Sequence, residues 1–279
     1  MLLIHNTSQV IQLTPEPQRG AALGTLNILP HGAVLLDNER ILAVGEPAAL
    51  LLAHPEADLL DAGGRAVLPG LVDPHTHLVW AGDRVDEFEM RLQGKSYMEI
   101  MAAGGGIAAT LQATRAASFE ELLAQTRERA RTAFAHGTTT LEAKTGYGLD
   151  IETELKQLEV ILKLDEEGPL ELIPTYLGAH AIPPEFAGNS EGYTDFLCNE
   201  ALPAVQAWWL EHASARALPF VDVFCEEGVF DLAQTRRILL RAQELGFPFK
   251  LHADEFANLG GASLAAELGA ISADHLVKT

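Results

Sequence analysis

The stretch Val67-Leu68-Pro69-Gly70-Leu71-Val72-Asp73-Pro74-His75-Thr76-His77-Leu78-Val79-Trp80 decides how the chain is read. An apolar run bounded by turn residues predicts a buried strand. His75 and His77 lie two residues apart, so on a strand both imidazoles point to one side. That spacing allows a metal pincer at a strand end. An ordinary pair of histidines beside a turn would have the same spacing, so the pair alone decides nothing. Weight for a metal comes from the further histidines that recur at later strand ends.

Composition narrows the class. The chain has 279 residues, long enough for one α/β barrel of roughly 250 residues or for two smaller domains. Apolar residues make up 48% and charged residues 21%, which excludes a disordered or fibrous protein. With 39 acidic against 19 basic residues the formal charge is −20, which argues against nucleic acid or an anionic membrane surface as partner and favours a small-molecule substrate. Cys198 and Cys225 are the only cysteines, so no disulfide framework is expected and a reducing compartment is the simpler setting. Residues 1–13 lack a basic start and a long apolar core, and no run approaches ~18 apolar residues. Neither a signal peptide nor a membrane span is expected, and the cytoplasm follows by default.

Upstream of the His-x-His stretch, residues 1–65 are strand-like. Leu2 to Ile4, Val10 to Leu13, Ala33 to Leu36 and Ile41 to Val44 are short apolar runs, with a hairpin turn at Asp37-Asn38. Pro47 to Ala53 reads as a short helix with proline in its first turn. The expected domains are therefore a small β portion over 1–65 and a barrel over 66–279. Between Gly82 and Gly106 the sequence is polar and loop-like, a length that suggests a functional lid. Gly104-Gly105-Gly106 is not followed by Gly-Lys-Ser/Thr, so it reads as a hinge and not as a phosphate loop.

Downstream, strands and helices alternate. Ser118 to Glu121 has capping-box spacing and opens a helix to about His136; Thr138 to Ala143 is a β-branched strand; Asp150 caps a helix that ends at Gly168-Pro169. A strand over Glu171 to Ala179 ends at His180, and Tyr193 to His212 is helical with a break near Pro203. Val221 to Cys225 is a strand, Asp231 to Gln234 another capping box, and Phe249 to Leu251 a strand ending at His252. Gly261 to Leu268 is a short helix, and a last strand from Ile271 ends at His275. This rhythm predicts right-handed βαβ units and a parallel sheet. Six strands are counted where a closed barrel needs eight. Either the sheet is open or the sequence is part of a longer protein; the second is expected, because Asp274 to Thr279 follows a strand with no closing helix.

In a parallel barrel, catalytic groups gather at the C-terminal strand ends. His75, His77, His180, His252 and His275 all fall there. Glu255 follows His252 by three residues, the placing expected of a carboxylate that moves protons beside a metal ligand, although a solvated loop carboxylate would look the same.

Pro69-Gly70-Leu71-Val72-Asp73-Pro74-His75-Thr76-His77 resembles the first-strand metal motif of the amidohydrolase superfamily. Together with Ala81-Gly82-Asp83-Arg84, Arg91-Leu92-Gln93-Gly94, Gly104-Gly105-Gly106-Ile107, Lys144-Thr145-Gly146-Tyr147-Gly148, Gly178-Ala179-His180 and His252-Ala253-Asp254-Glu255, it resembles the imidazolonepropionase family. That resemblance covers nearly the whole chain. It implies a (β/α)8 TIM-type barrel, C-terminally truncated to about six βα units, with a small N-terminal β-sandwich portion. It also implies a zinc or iron centre, a cytoplasmic homodimer, and hydrolysis of the cyclic amide of 4-imidazolone-5-propanoate to N-formimino-L-glutamate in histidine degradation. By position, His75, His77 and His252 would be metal ligands, with a fourth, an aspartate, beyond Thr279. Arg84, Tyr97, Tyr147, His180 and Glu255 would contact substrate, and Glu255 and His275 would serve catalysis. The chemistry agrees with those roles: a metal lowers the pKa of its water from about 15.7 towards ~7, and an arginine fork suits a propionate tail. Two other outcomes stay open: a different reaction on the same scaffold, such as ring deamination or hydrolysis of another lactam, and a truncated chain that binds metal without turnover.

Overall fold

A computed structural model describes all residues except 15, 17, 97, 98 and 100–104. Contacts divide the chain into two compact units, Met1–Gly70 and Leu71–Thr279.

The first unit is built of short strands: β1 (Leu2–His5), β2 (Gln9–Gln12), β3 (Asn27–Pro30), β4 (Ala33–Asp37), β5 (Arg40–Gly45), β6 (Asp58–Asp61) and β7 (Ala66–Val67). They form a four-stranded sheet in the order β5-β4-β1-β6 and a three-stranded sheet in the order β3-β2-β7. The β4–β5 hairpin turns where Asp37-Asn38 predicts it, with Asn38 at φ 51°, a left-handed position that asparagine tolerates. Leu3, Ala33, Leu35 and Ala57 make a small core, and Pro47–Ala53 is the expected helix.

The second unit carries the parallel sheet: β8 (Leu71–Asp73), β9 (Thr138–Lys144), β10 (Glu171–Ala179), β11 (Phe220–Cys225), β12 (Leu251–Ala253) and β13 (Ala273–His275). Each strand lies beside its neighbour in sequence, and every pairing is parallel. These are five successive βα units and a sixth strand, in the order of a TIM-type barrel. Helices Phe119–Ala135, Ile151–Glu167 and Leu232–Glu244 pack on the outer face through residues such as Leu122, Leu158, Ile161 and Ile238, all essentially buried. Capping boxes at Ser118/Glu121 and Asp231/Gln234 satisfy the orphan N–H groups that start two of these helices.

Three local expectations need correction. The strand of the His-x-His stretch is not buried: Leu71 and Val72 are 50% and 65% exposed. The ladder stops at Asp73, because Pro74 has no N–H to continue it, and the histidines follow in the extended segment beyond the strand. Residues 82–106 are not wholly a loop: Val85–Leu92 is a helix with Asp86 and Glu87 in its first turn, where acidic side chains favour the dipole. Gly104 of the expected hinge lies outside the described residues. Pro203 does not break its helix, since a π-helical turn at Leu197–Ala201 joins Ser190–Phe196 to Leu202–His212, and the proline falls in the first turn of the last segment.

Candidate active site

Five histidines meet at the C-terminal edge of the parallel sheet. The segment that carries the first two is fastened from both sides. Lys144 N–H donates to Thr76 O at 2.9 Å, and Thr76 Oγ1 donates to Glu142 O at 2.5 Å, so Thr76 runs along β9 even though the strand has ended. Arg129 Nη1 donates to Leu78 O (3.1 Å) and Trp80 O (2.8 Å), its guanidinium lies 3.4 Å over the Trp80 ring, and Gln157 Nε2 donates to Val79 O at 2.7 Å. Burial lowers the Arg129 pKa to about 10.

The rings converge. Centroids of His75 and His77 are 5.5 Å apart, His77 and His252 5.4 Å, and His75 and His252 4.5 Å. His275 joins them at 4.9 Å from His75 and 5.0 Å from His252, while His180 stacks on His77 at 4.7 Å. Donor atoms of His75, His252 and His275 all lie within 4.8 Å of one another, as do those of His75, Glu142 and Asp274. His77 Nε2 and His252 Nε2 face each other at 3.3 Å, and His77 Nδ1 is buried without a hydrogen-bond partner. At that distance either one Nε2–H donates to the other ring's lone pair, or both lone pairs turn to a shared cation. Burial, then the neighbouring His180 and His252, hold the His77 pKa well below its ordinary value, so the ring stays neutral and keeps the lone pair that a metal ligand needs. The donor set therefore suits a divalent metal ion.

Beneath the imidazoles is a layer of charge that the sequence reading did not assign. The Lys144 ammonium is fully buried, 2.6 Å from Asp222 Oδ2, 3.0 Å from Glu142 Oε2 and 3.5 Å from Asp274 Oδ2. Lys250 Nζ meets Glu142 Oε1 at 2.9 Å. Burial works against the Lys144 charge, but Asp222 and Glu142 hold its pKa above the ordinary value. Burial likewise opposes ionisation of Asp222, yet His252 and Lys144 keep its pKa far below the carboxylate range. Asp222 and Asp274 also set the imidazoles. His252 Nδ1 is 2.8 Å from Asp222 Oδ2, a close contact short of linear hydrogen-bond geometry, while His252 N–H donates to Asp222 Oδ1 at 3.1 Å. His75 Nδ1 is 2.9 Å from Asp274 Oδ2. The signals were available: Asp222 interrupts the apolar strand Val221 to Cys225, and Asp274 precedes His275.

Glu255 and His275 meet, with His275 Nε2 3.4 Å from Glu255 Oε2. Burial and His252 lower the His275 pKa, and Glu255 partly offsets this. Tyr147 lies 5.3 Å from the His180 ring and 5.9 Å from His77, its phenol pKa raised by burial and drawn back by the Arg84 charge. Arg84 stands at the N-terminus of helix Val85–Leu92, donating from Nε to Thr110 Oγ1 at 3.1 Å, with Glu87 3.9 Å away. Tyr97 lies outside the described residues.

Known proteins can now be set beside this geometry. A family model described as "Imidazolonepropionase-like composite domain, bacteria" matches residues 32–57. The imidazolonepropionase of Herpetosiphon aurantiacus is 50% identical over 99% of this chain and 65% of its own length. This chain is similar to the imidazolonepropionases. The enzymes of that name from Chloroflexus aggregans and Symbiobacterium thermophilum are 50% and 49% identical, again over 99% of this chain and 65% and 64% of theirs. The chain thus spans just under two thirds of the length of these relatives. Among solved structures, the 5-methylcytosine deaminase of Klebsiella pneumoniae superposes with a TM-score of 0.60 at 16% identity, covering 95% of this chain and 55% of that one. E. coli guanine deaminase gives 0.60 at 12%, covering 96% and 60%. At such identities the likeness concerns the fold, and it agrees with the six-stranded parallel sheet.

Proposed function

We propose that this chain carries the metal-dependent hydrolysis of the cyclic amide of 4-imidazolone-5-propanoate, giving N-formimino-L-glutamate. The observation that carries the proposal is the convergence of His75, His77 and His252 at one edge of the parallel sheet, in a sequence half identical to imidazolonepropionases. His75, His77 and His252 would hold the ion, zinc or iron. When bound, such an ion polarises the amide carbonyl and acidifies water at neutral pH.

The remaining work falls to side chains of this chain. Arg84 would take the propionate tail in a bidentate fork, supplying the cation that an anionic substrate needs in a protein of net charge −20. His180 donates its Nδ1–H to Gly146 O at 2.9 Å, and burial, the largest cause, lowers its pKa to about 4, so it stays neutral with Nε2 as a bare acceptor. Tyr147 is a protonated phenol and a donor. Ring opening adds hydroxyl to the carbonyl carbon, breaks its bond to the ring nitrogen and delivers a proton to that nitrogen. Glu255 and His275, 3.4 Å apart, would relay it, one accepting the proton from water and the other passing it on. By the resemblance, Tyr97 would also contact substrate. The acidic surface and the buried free thiols of Cys198 and Cys225 suit a cytoplasmic setting, and no helix among the described residues is long and apolar enough to cross a membrane. The resemblance adds a homodimer.

The test is bound metal per chain measured with hydrolysis of imidazolonepropionate, for this chain and for His75→Ala, with cytosine and guanine as comparison substrates. Metal-dependent ring opening that His75→Ala abolishes is expected. Turnover that persists in His75→Ala, or turnover of the nucleobases alone, would overturn the assignment.

A further inference from the structure

Glu154 belongs to no catalytic role described above, yet its carboxylate is fully buried at the start of helix Ile151–Glu167 with no cation paired to it among the described residues. Burial pushes its pKa up, and this is opposed by the Thr145 side chain and by backbone amides. Oε1 accepts from Gly146 N (3.1 Å), Gly148 N (2.8 Å) and Leu149 N (2.9 Å), and Oε2 accepts from Gly146 N at 3.1 Å. The loop after β9 is therefore wrapped around one side chain. Its tightness fixes the residue types: Gly146 sits at φ 105°, and a Cβ there would meet Leu177 O at 2.9 Å and His180 Nδ1 at 3.0 Å. A Cβ at Gly148 would fall 2.7 Å from Thr153 Cβ and 2.8 Å from Glu154 N. Tyr193 Oη, also buried, ties the loop to the next strand by bonding Leu149 O (3.1 Å) and Gly178 O (2.7 Å).

What the loop presents is chemical as well as structural. Gly146 O, held in place by the amides on either side of it, is the acceptor for His180 Nδ1–H. A histidine whose Nδ1 carries the proton exposes Nε2 as an acceptor, and one without that partner is free to adopt the other tautomer or turn its ring. Tyr147, between the two glycines, is aimed at His77 and His180 by the same turn.

We infer that Glu154 is a positioning residue: by collecting the amides of Gly146, Gly148 and Leu149 it fixes the Gly146 carbonyl, and through it the tautomer and direction of His180, together with the placing of Tyr147. Its consequence for catalysis rests on the reading that His180 and Tyr147 contact substrate; its consequence for His180 does not. Glu154 lies outside the metal cluster, so its loss should weaken substrate binding and spare the metal.

The test uses Glu154→Leu, which removes the acceptors, and Glu154→Gln, which keeps one oxygen within reach of the three amides. In the unmodified chain, nitrogen-15 spectra of the histidine side chains, with His180 assigned through His180→Asn, should give the Nδ1–H tautomer. Glu154→Leu should lose that single tautomer, and Glu154→Gln should restore much of it. With imidazolonepropionate, Glu154→Leu should raise KM about tenfold, the scale of one lost hydrogen bond, with kcat changed less than KM and metal per chain unchanged. An unaltered His180 pattern in Glu154→Leu, or fast hydrogen exchange of the Gly146, Gly148 and Leu149 amides in the unmodified chain, overturns the inference; the exchange measurement decides even if Glu154→Leu does not fold. An unmodified chain without turnover overturns the catalytic reading, while the spectra still decide the positioning.

Discussion

Lys144→Met isolates the charge layer under the imidazoles. In the native chain three carboxylates, Glu142, Asp222 and Asp274, face two ammoniums, Lys144 and Lys250, and Lys144 touches all three acids. Methionine matches the length of the lysine stem, so little packing is lost, but three buried or half-buried carboxylates are left against one ammonium. Asp222 suffers most, since it is wholly buried and loses a contact of 2.6 Å. Breaking one side of a buried ion pair costs about 3–5 kcal/mol, because the remaining charge keeps its desolvation penalty without its partner. Against a typical folding stability of ~5–15 kcal/mol this is a severe loss. The double variant Lys144→Met/Asp222→Asn removes the stranded charge as well and should recover more than half of it. Chemical denaturation followed by circular dichroism, on metal-free protein, gives the midpoints and slopes for the three chains. A single variant within about 1 kcal/mol of the unmodified chain, or a double variant no better than the single, would refute the view that the layer is held by mutual neutralisation.

Two further outcomes follow from the same geometry. Stripping metal with a chelator should lower the thermal midpoint of the unmodified chain, and restoring zinc at a hundredfold excess over its Kd should return about 2.7 kcal/mol of stability; a midpoint that ignores both would remove the metal centre from the description. Gly146→Ala should destabilise by more than the ordinary cost of losing a glycine, roughly 1–3 kcal/mol, since a β-carbon collides with Leu177 O at a backbone angle that suits glycine; scanning calorimetry that finds the variant unchanged would show that the loop is not as tight as drawn.

Much of the barrel is legible because its signals are local. Ser118, Asp150 and Asp231 announce helices through their caps, Gly168-Pro169 and Gly246 close them, and the β-branched run at Thr138 to Thr140 marks the start of strand β9. Helix Val85–Leu92 escaped because its first turn is polar, and polar residues read as loop until the dipole and the Asp83 side chain, which accepts from Val85 N at 3.1 Å, are counted. Strands β3 and β6 escaped because neither alternates in burial as a half-buried strand should. The histidines were found by position at strand ends, a topological rule that needs no contacts. Their supports were not: Asp222 and Asp274 act on His252 and His75 from other strands, and no spacing in the sequence relates Glu154 to an imidazole.

The strictly sequential order of the six parallel strands has a bearing on how the molecule comes into being. Each βα unit docks on the one made just before it, so the sheet can grow in step with translation, and few contacts wait on distant segments. The imidazole cluster is the exception, because His75 must meet Asp274 across 199 positions of chain. His252, on the fifth parallel strand, must likewise come back to His75 and His77 beyond the first, so a cation held by these three would be captured late, as a seal on a sheet already largely laid down and not as a seed for it.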